Sequence, residues 1–247
     1  MKIGVFDSGI GGITVLNEII KVLPNEHYIY YSDSKNNPYG TKSQEEIIEL
    51  SENIVKLFID KKCDIIVIAC NTASAEAADV LRKKYSFVPI IAIEPAFKMA
   101  YDYDKDSPVL VMATKATIES QKFQNLYNKY NNNNSELISC VGLPELIEKE
   151  QSKEIDEYLE KNLKQYRGKI KNVVLGCTHF PLIKDKIDIA LGGNIKFFDG
   201  ACGVAKHLKD VAEENNLRHE SSCKVDYCDS SNSEIKKEQF LKYLKMN

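Results

Sequence analysis

The chain has no surplus of positive charge. Its 33 lysines and arginines stand against 36 acidic residues, a formal net charge of -3, which argues against a nucleic-acid partner. It also has no hydrophobic run approaching the ~20 residues of a membrane span. Its opening, MKIGVFDSGIGG, holds only a short strand-like apolar run where a signal peptide would carry a longer core. No membrane partner is expected, and the expected compartment is cytoplasmic. Histidine is scarce: the residues at 27, 179, 207 and 219 lack the spacing of a zinc site, and no CxxC pair is present, so no metal is expected. The cysteines, Cys63, Cys70, Cys140, Cys177, Cys202, Cys223 and Cys228, are odd in number and form no short-loop framework. A disulfide scaffold is therefore not expected. With 43% hydrophobic and 28% charged residues, the 247-residue chain has the composition of an ordinary globular protein of one large domain or two small ones.

What is present is alternation. Short apolar, β-branched runs, KIGVF, HYIYYS, DIIVIA and VPIIAIE, then PVLVMA, SELISC, NVVLG and IKFFD, are separated by helical patterns such as ITVLNEIIKVL and SQEEIIELSENIVKLFIDKK. This predicts an α/β fold with mainly parallel sheets. The halves resemble each other at one offset: Cys70 and Cys177 lie 107 positions apart, and the same shift pairs Asp7 with Thr114, Ser32 with Ser139, and Glu94 with Ala201. Two pseudo-symmetric α/β lobes are predicted, residues 1–96 with 205–247 and residues 97–204, each with a cysteine at a strand's carboxyl end, where such sheets bind ligands. The tail, with helical patterns GVAKHLKDVAEENN and EIKKEQFLKYLK, is expected to pack on the first lobe, and the asparagine run in residues 129–136 is expected as a loop.

Four segments bear chemistry. In DIIVIACNTASAEAADVL, Cys70 ends a strand, and Asn71, Thr72 and Ser74 are expected to cap the following helix. A thiol at a helix N-terminus lies in the positive end of the dipole, so the Cys70 pKa is expected to fall from ~8.5 toward neutrality. In VLGCTHFPL, His179 follows Cys177 by two positions, and imidazole can stabilise a thiolate or relay its proton. A buried structural thiol would explain either cysteine alone; two in matching places favour a functional pair. The segment KIGVFDSGIGGITVL suggests a phosphate cradle with Asp33 as a ribose acid. However, Thr14 occupies the third glycine position, and Asp7 would repel a phosphate. Asp7 and Ser8 read better as a carboxylate and a hydroxyl beside Gly9, Gly11 and Gly12, whose amides would face a ligand carboxylate. Pro38, Tyr39 and Gly40 read as a turn forming a backbone-lined lip over the cleft.

Taken together, FDSGIGGITVL (6–16), YSDSKNNPYG (31–40), ACNTASA (69–75) and GCTHFPL (176–182) resemble the signature blocks of bacterial glutamate racemases, in that family's order and through about residue 207. The resemblance implies a cofactor-independent amino-acid racemase with its site between two lobes. It makes Cys70 and Cys177 the acid/base pair and Asp7 and His179 their helpers. Substrate contacts fall on Asp7, Ser8, Tyr39, Gly40, Asn71, Thr72, Thr178 and His179. ATKATIES resembles a further block and adds Thr114 and Thr117 as carboxylate ligands, although Ala113 replaces the usual glycine. CVGLPELIE adds Glu148 behind the histidine, although Val141 replaces the usual proline. It further implies glutamate as the small-molecule substrate, D-glutamate for peptidoglycan as the purpose, and a homodimer as the common assembly. The first strand opens at Lys2, without the amino-terminal extension of members activated by a peptidoglycan precursor, so no such activation is expected.

The chemistry agrees with the implied residues, since racemisation removes a proton from one face of a carbon and returns one to the other. Three other readings stay open. An aspartate or hydantoin racemase would share the paired cysteines. A cysteine–histidine acyl-transfer enzyme would leave Cys70 without a task. A non-catalytic two-lobed binding protein would need the cleft without both thiols.

Overall fold

The alternating runs fold as parallel strands of two sheets in the computed structural model, which describes residues 1–131 and 134–245. The middle of the asparagine run expected as a loop lies outside the described residues. The first lobe contains β1 (Lys2–Asp7), β2 (His27–Ser32), β3 (Ile65–Ile68) and β4 (Ile90–Ala92). The second contains β5 (Val109–Ala113), β6 (Ser135–Ser139), β7 (Asn172–Gly176) and β8 (Lys196–Phe198). A ninth strand, β9 (Lys224–Asp229), pairs in parallel with β2 at the edge of the first sheet. The sheet orders are β4-β3-β1-β2-β9 and β8-β7-β5-β6, so the second repeats the first without its extra edge.

Strand pairing refines the offset. Ser32 pairs with Asp7 and Ser139 with Ala113, while Val67 pairs with Ile91 and Val174 with Phe198. The 107-residue shift therefore holds for β2, β3 and β4, but Asp7 corresponds to Ala113 and not to Thr114. The β5–β6 segment is one residue longer than its counterpart, and register, not sequence distance, sets equivalence. The second lobe thus has no carboxylate at the place of Asp7.

Side chains alternate across each sheet, and both faces are covered. Ile3, Val5, Ile65 and Val67 pack with Ile13, Leu16 and Ile19 of the amphipathic helix Ile13–Val22. Phe6, Ile66 and Ile68 face the opposite side with Ile47, Val55 and Phe58. That second layer comes from the helix Gln44–Asp60, whose start is fixed by a capping box between Ser43 and Glu46. In the second lobe, Leu110, Met112, Val173 and Leu175 pack on one side, and Val109, Val111 and Val174 on the other. The tail packs back on the first lobe: Ala201, Val204 and Leu208 of helix Ala201–Glu214, and Phe240 of helix Glu234–Tyr243, enter the first sheet's core. Among the described residues no helix is long and apolar enough to cross a membrane. Strand order reverses between β1 and β3 and between β5 and β7, and the loops leaving those carboxyl ends diverge to open a crevice in each lobe.

Candidate active site

The two crevices face each other. Cys70 leaves β3 and itself caps the helix Asn71–Lys84: its Sγ accepts the Ala73 amide at 3.5 Å and lies 3.6 Å from Ser8 Oγ. The expected caps Asn71, Thr72 and Ser74 lie inside the first turn instead, where the Ser74 hydroxyl donates to the Ile68 carbonyl at 3.1 Å. The expected fall in the Cys70 pKa is also overturned. Burial and the neighbouring Asp7 carboxylate push the Cys70 thiol up to about 12, against the Ala73 amide and the Ser8 hydroxyl. Removing a thiolate from water outweighs what one helix end returns.

Cys177 leaves β7 with its Sγ 3.6 Å from His179 Nδ1, and His179 Nε2 lies 2.6 Å from Glu148 Oε1. Burial works against a charge on His179, yet its hydrogen bonds to Cys177 and Glu148 hold the imidazole protonated well above its ordinary range. Burial likewise works against charge on Glu148, but His179 and Lys236 outweigh it and bring that carboxyl down to about 2. The result is a buried chain of sulfur, imidazolium and carboxylate.

Cys70 and Cys177 line one cavity between the lobes. The first lobe lines it with Ser8, Tyr39, Gly40, Cys70, Asn71 and Thr72, and the second with Thr114, Cys177, Thr178 and His179. Thr114 Oγ1 lies 2.9 Å from both Thr72 Oγ1 and Thr117 Oγ1, which makes a chain of hydroxyls across the lobes. Asn71 Oδ1 is buried without a hydrogen-bond partner among the described residues. Three expected contacts, Asp7, Thr117 and Glu148, stand behind the lining. Asp7 is fully buried, its Oδ2 accepting the Gly9 amide at 3.0 Å and its Oδ1 the Thr178 hydroxyl at 3.0 Å. Burial raises its carboxyl above the ordinary value, against the pull of His179 and these donors.

The glycine-rich turn has a different use from the one expected. Gly9, Gly11 and Gly12 do not line the cavity. The Gly9 amide serves Asp7, and the adjacent Ile10 amide donates to Glu148 Oε1 at 2.6 Å. A Cβ on Gly9 would stand 2.0 Å from Glu148 Oε1, and one on Gly11 would stand 2.7 Å from the His179 backbone nitrogen. The turn is the seam along which the lobes touch. Asp33 is likewise no ribose ligand: it accepts from the Tyr39 hydroxyl at 2.5 Å and from Asn36 Nδ2 at 2.9 Å, tying down the lip. With Asp33 occupied and the glycines turned to the other lobe, the phosphate cradle is excluded.

Sequence reasoning missed several lining residues, among them Asn37, Thr41, Lys115 and the stretch from Cys140 to Gly142 with Pro144 and Glu145. Cys140 had a signal, since it too ends a strand-like run, SELISC; its burial pushes its thiol pKa up. Lys236 and Gln239, which hold Glu148 from 88 and 91 residues away, had none. Among the described residues no group of three or more His, Cys, Asp or Glu side chains is arranged to hold a metal ion.

Residues 3–207 match the Asp/Glu/Hydantoin racemase family. A glutamate racemase of Clostridium perfringens is 44% identical over 226 residues, 90% of this chain and 87% of the relative. Among solved structures, a glutamate racemase of Bacillus anthracis superposes with a TM-score of 0.86 at 27% identity, covering 98% of this chain and 93% of the other. A glutamate racemase of Francisella tularensis in complex with D-glutamate gives a TM-score of 0.82 at 30% identity, with coverage of 98% and 93%.

Proposed function

The chain belongs to the Asp/Glu/Hydantoin racemase family, and from that premise we propose that it is a glutamate racemase that moves the α-proton of glutamate between Cys70 and Cys177. The observation that carries this reading is the pair of thiols, one from each lobe, within electrostatic reach of each other and lining one cavity. An acyl-transfer enzyme would leave the first thiol idle, and a binding protein would have no use for either. The relatives named above favour glutamate over aspartate.

In one direction the Cys177 thiolate takes the α-proton from one face while the Cys70 thiol gives its proton to the other; in the reverse direction the roles exchange. Each turnover leaves the proton count of the pair unchanged. His179 faces the Cys177 sulfur with Nδ1 at 3.6 Å, as a charged donor. Cys70, pushed up to about 12 by burial and Asp7, is suited to begin as the acid. Charge gathering on the substrate carboxylate as the proton leaves is met by donors already in place: the Thr72 hydroxyl, the Asn71 amide nitrogen and backbone amides of the Tyr39–Gly40 lip. The unpartnered Asn71 Oδ1 offers an acceptor to the substrate ammonium. Asp7 acts through Thr178, whose hydroxyl it holds, and not by direct contact. The product would supply D-glutamate to the peptidoglycan stem peptide in the cytoplasm.

The ellipticity of L-glutamate and of D-glutamate incubated with pure protein is expected to decay to zero from both signs, and aspartate is expected to change far more slowly. The same decay is expected after dialysis against a chelator, with no absorbance beyond the protein's own, because the proton transfers need only the two thiols. Unchanged ellipticity, or loss on chelation with recovery on adding a divalent ion, would contradict the scheme.

A further inference from the structure

The helix Glu234–Tyr243 lies beyond the family-matched residues, yet it reaches the carboxylate behind His179. It is seated on the first lobe. Phe240 is buried in that lobe's core, Asn17 Nδ2 donates to the Tyr243 carbonyl at 2.9 Å, and Asn17 Oδ1 accepts the Lys245 amide at 2.9 Å. From this seat it grips the second lobe's helix Leu143–Glu148. Lys236 Nζ is ion-paired with Glu148 Oε2 and donates to the Glu148 carbonyl at 3.2 Å; Gln239 Nε2 donates to the same carbonyl at 3.1 Å. Glu148 Oε1 already receives His179 Nε2 and the Ile10 amide, both at 2.6 Å. Oε1 is thus held from the glycine turn and from His179, and Oε2 and the carbonyl from the helix Glu234–Tyr243.

We propose that Lys236 is a positioning residue for the Cys177 base: it keeps Glu148 ionised and turned toward His179, so that His179 presents its charged Nδ1 to the sulfur. This deepens the racemase reading and rests on it. The argument is a charge balance. The groups within electrostatic reach of Glu148 are Asp7 from β1, Tyr30 from β2, Tyr227 from β9 and His179 after β7, with Cys177 on the far nitrogen of His179 and Glu150 within reach of Lys236. Burial keeps both tyrosines neutral. Two carboxyl groups and a thiolate would then share one imidazolium, and Lys236 is the second cation. Its side chain is 20% exposed and Glu148 only 6%, so their attraction is poorly screened compared with a surface pair.

The test is kcat/KM for glutamate from pH 5 to 9 in the wild type, Lys236→Met, Lys236→Arg and Lys242→Met. Removing a cation makes a cluster of anions easier to protonate. Lys236→Met is therefore expected to move the acid limb up by about one pH unit, costing about tenfold on that limb, and Lys236→Arg to restore most of it. Lys242→Met cuts the exposed 2.7 Å pair to Glu150, which joins the same region without touching Glu148, and is expected to leave the limb in place. Iodoacetamide alkylation of Cys177, followed by peptide mass spectrometry, reads the thiolate without turnover. It is expected to slow in Lys236→Met at pH 7 and to recover in Lys236→Arg. A wild-type protein inert toward glutamate would overturn the racemase reading while the alkylation arm still judged Lys236. An unmoved acid limb and unchanged alkylation in Lys236→Met, or equal damage in the Met and Arg variants, would overturn the positioning role.

Discussion

Cys70→Ser and Cys177→Ser should each lower kcat/KM for glutamate by on the order of 10³-fold or more, equivalent to about 4 kcal/mol of transition-state stabilisation. Serine is close to isosteric and keeps the local hydrogen bonds: at position 70, its hydroxyl can still accept the Ala73 amide and approach Ser8, as the sulfur does. What is lost is an atom that can carry the proton and the charge in turn near neutral pH. Because the equilibrium constant of a racemisation is one, kcat/KM must be the same in both directions, so each mutation must impair both enantiomers equally. A one-base enzyme would obey the same equality between enantiomers but would be impaired at only one of the two cysteines. Ser replacements at the exposed Cys202 and the half-buried Cys223 and Cys228 should leave the rate within a small factor. Initial rates by polarimetry or circular dichroism decide the matter, and near-normal turnover in either single mutant would remove its thiol from the mechanism.

The second large effect comes from one methyl group. Gly11→Ala places a Cβ 2.6 Å from Thr178 Oγ1 and 2.7 Å from both the backbone nitrogen and Nδ1 of His179. Moving a backbone atom means moving the turn that carries Cys177, Thr178 and His179 together. Overpacking of this kind costs about 1–3 kcal/mol of stability. Activity should fall further, by about a hundredfold, since misplacement of a reacting group by ~1 Å has a cost of that size. The matched control is Gly203→Ala in the helix Ala201–Glu214, where a Cβ meets nothing within 4 Å. There alanine should be neutral or stabilising by up to about 1 kcal/mol, because it suits a helix better than glycine. Thermal melts and initial rates of the two variants test the pair. A Gly11→Ala enzyme with wild-type activity and melting would mean that the seam is looser than these distances require.

Alternation made the strands legible. Each expected run from KIGVF to IKFFD is a strand, because sheets covered on both faces leave continuous apolar segments bounded by helices. The repeat was legible too, apart from the single residue by which Asp7 meets Ala113; an insertion inside a connection is invisible to a fixed offset. The glycine turn was misread for a physical reason: a strand, glycines and a helix have the same sequence pattern whether the exposed backbone meets a ligand or another loop. The acidity of Cys70 was misjudged because helix position can be read from the order of residues whereas burial cannot. Thr117 and Glu148 were named from the family blocks, yet their places behind Thr114 and His179 are set by side-chain contacts within the folded second lobe. Lys236 depends on a contact between lobes and left no trace in the local sequence.

The claim that the α-proton passes between two thiols on opposite faces is tested most directly by running the reaction in deuterium oxide. Unlabelled L-glutamate or D-glutamate is converted to less than about a tenth, and the α-position of both enantiomers is read by mass spectrometry. Each face is served by its own sulfur, and the donating thiol has exchanged with solvent before turnover. Early product of either handedness should therefore carry deuterium, while the remaining substrate keeps its protium. Product that retains a substantial share of the original protium would mean that a single group had taken the proton off and put it back, contradicting the assignment of Cys70 and Cys177 to opposite faces.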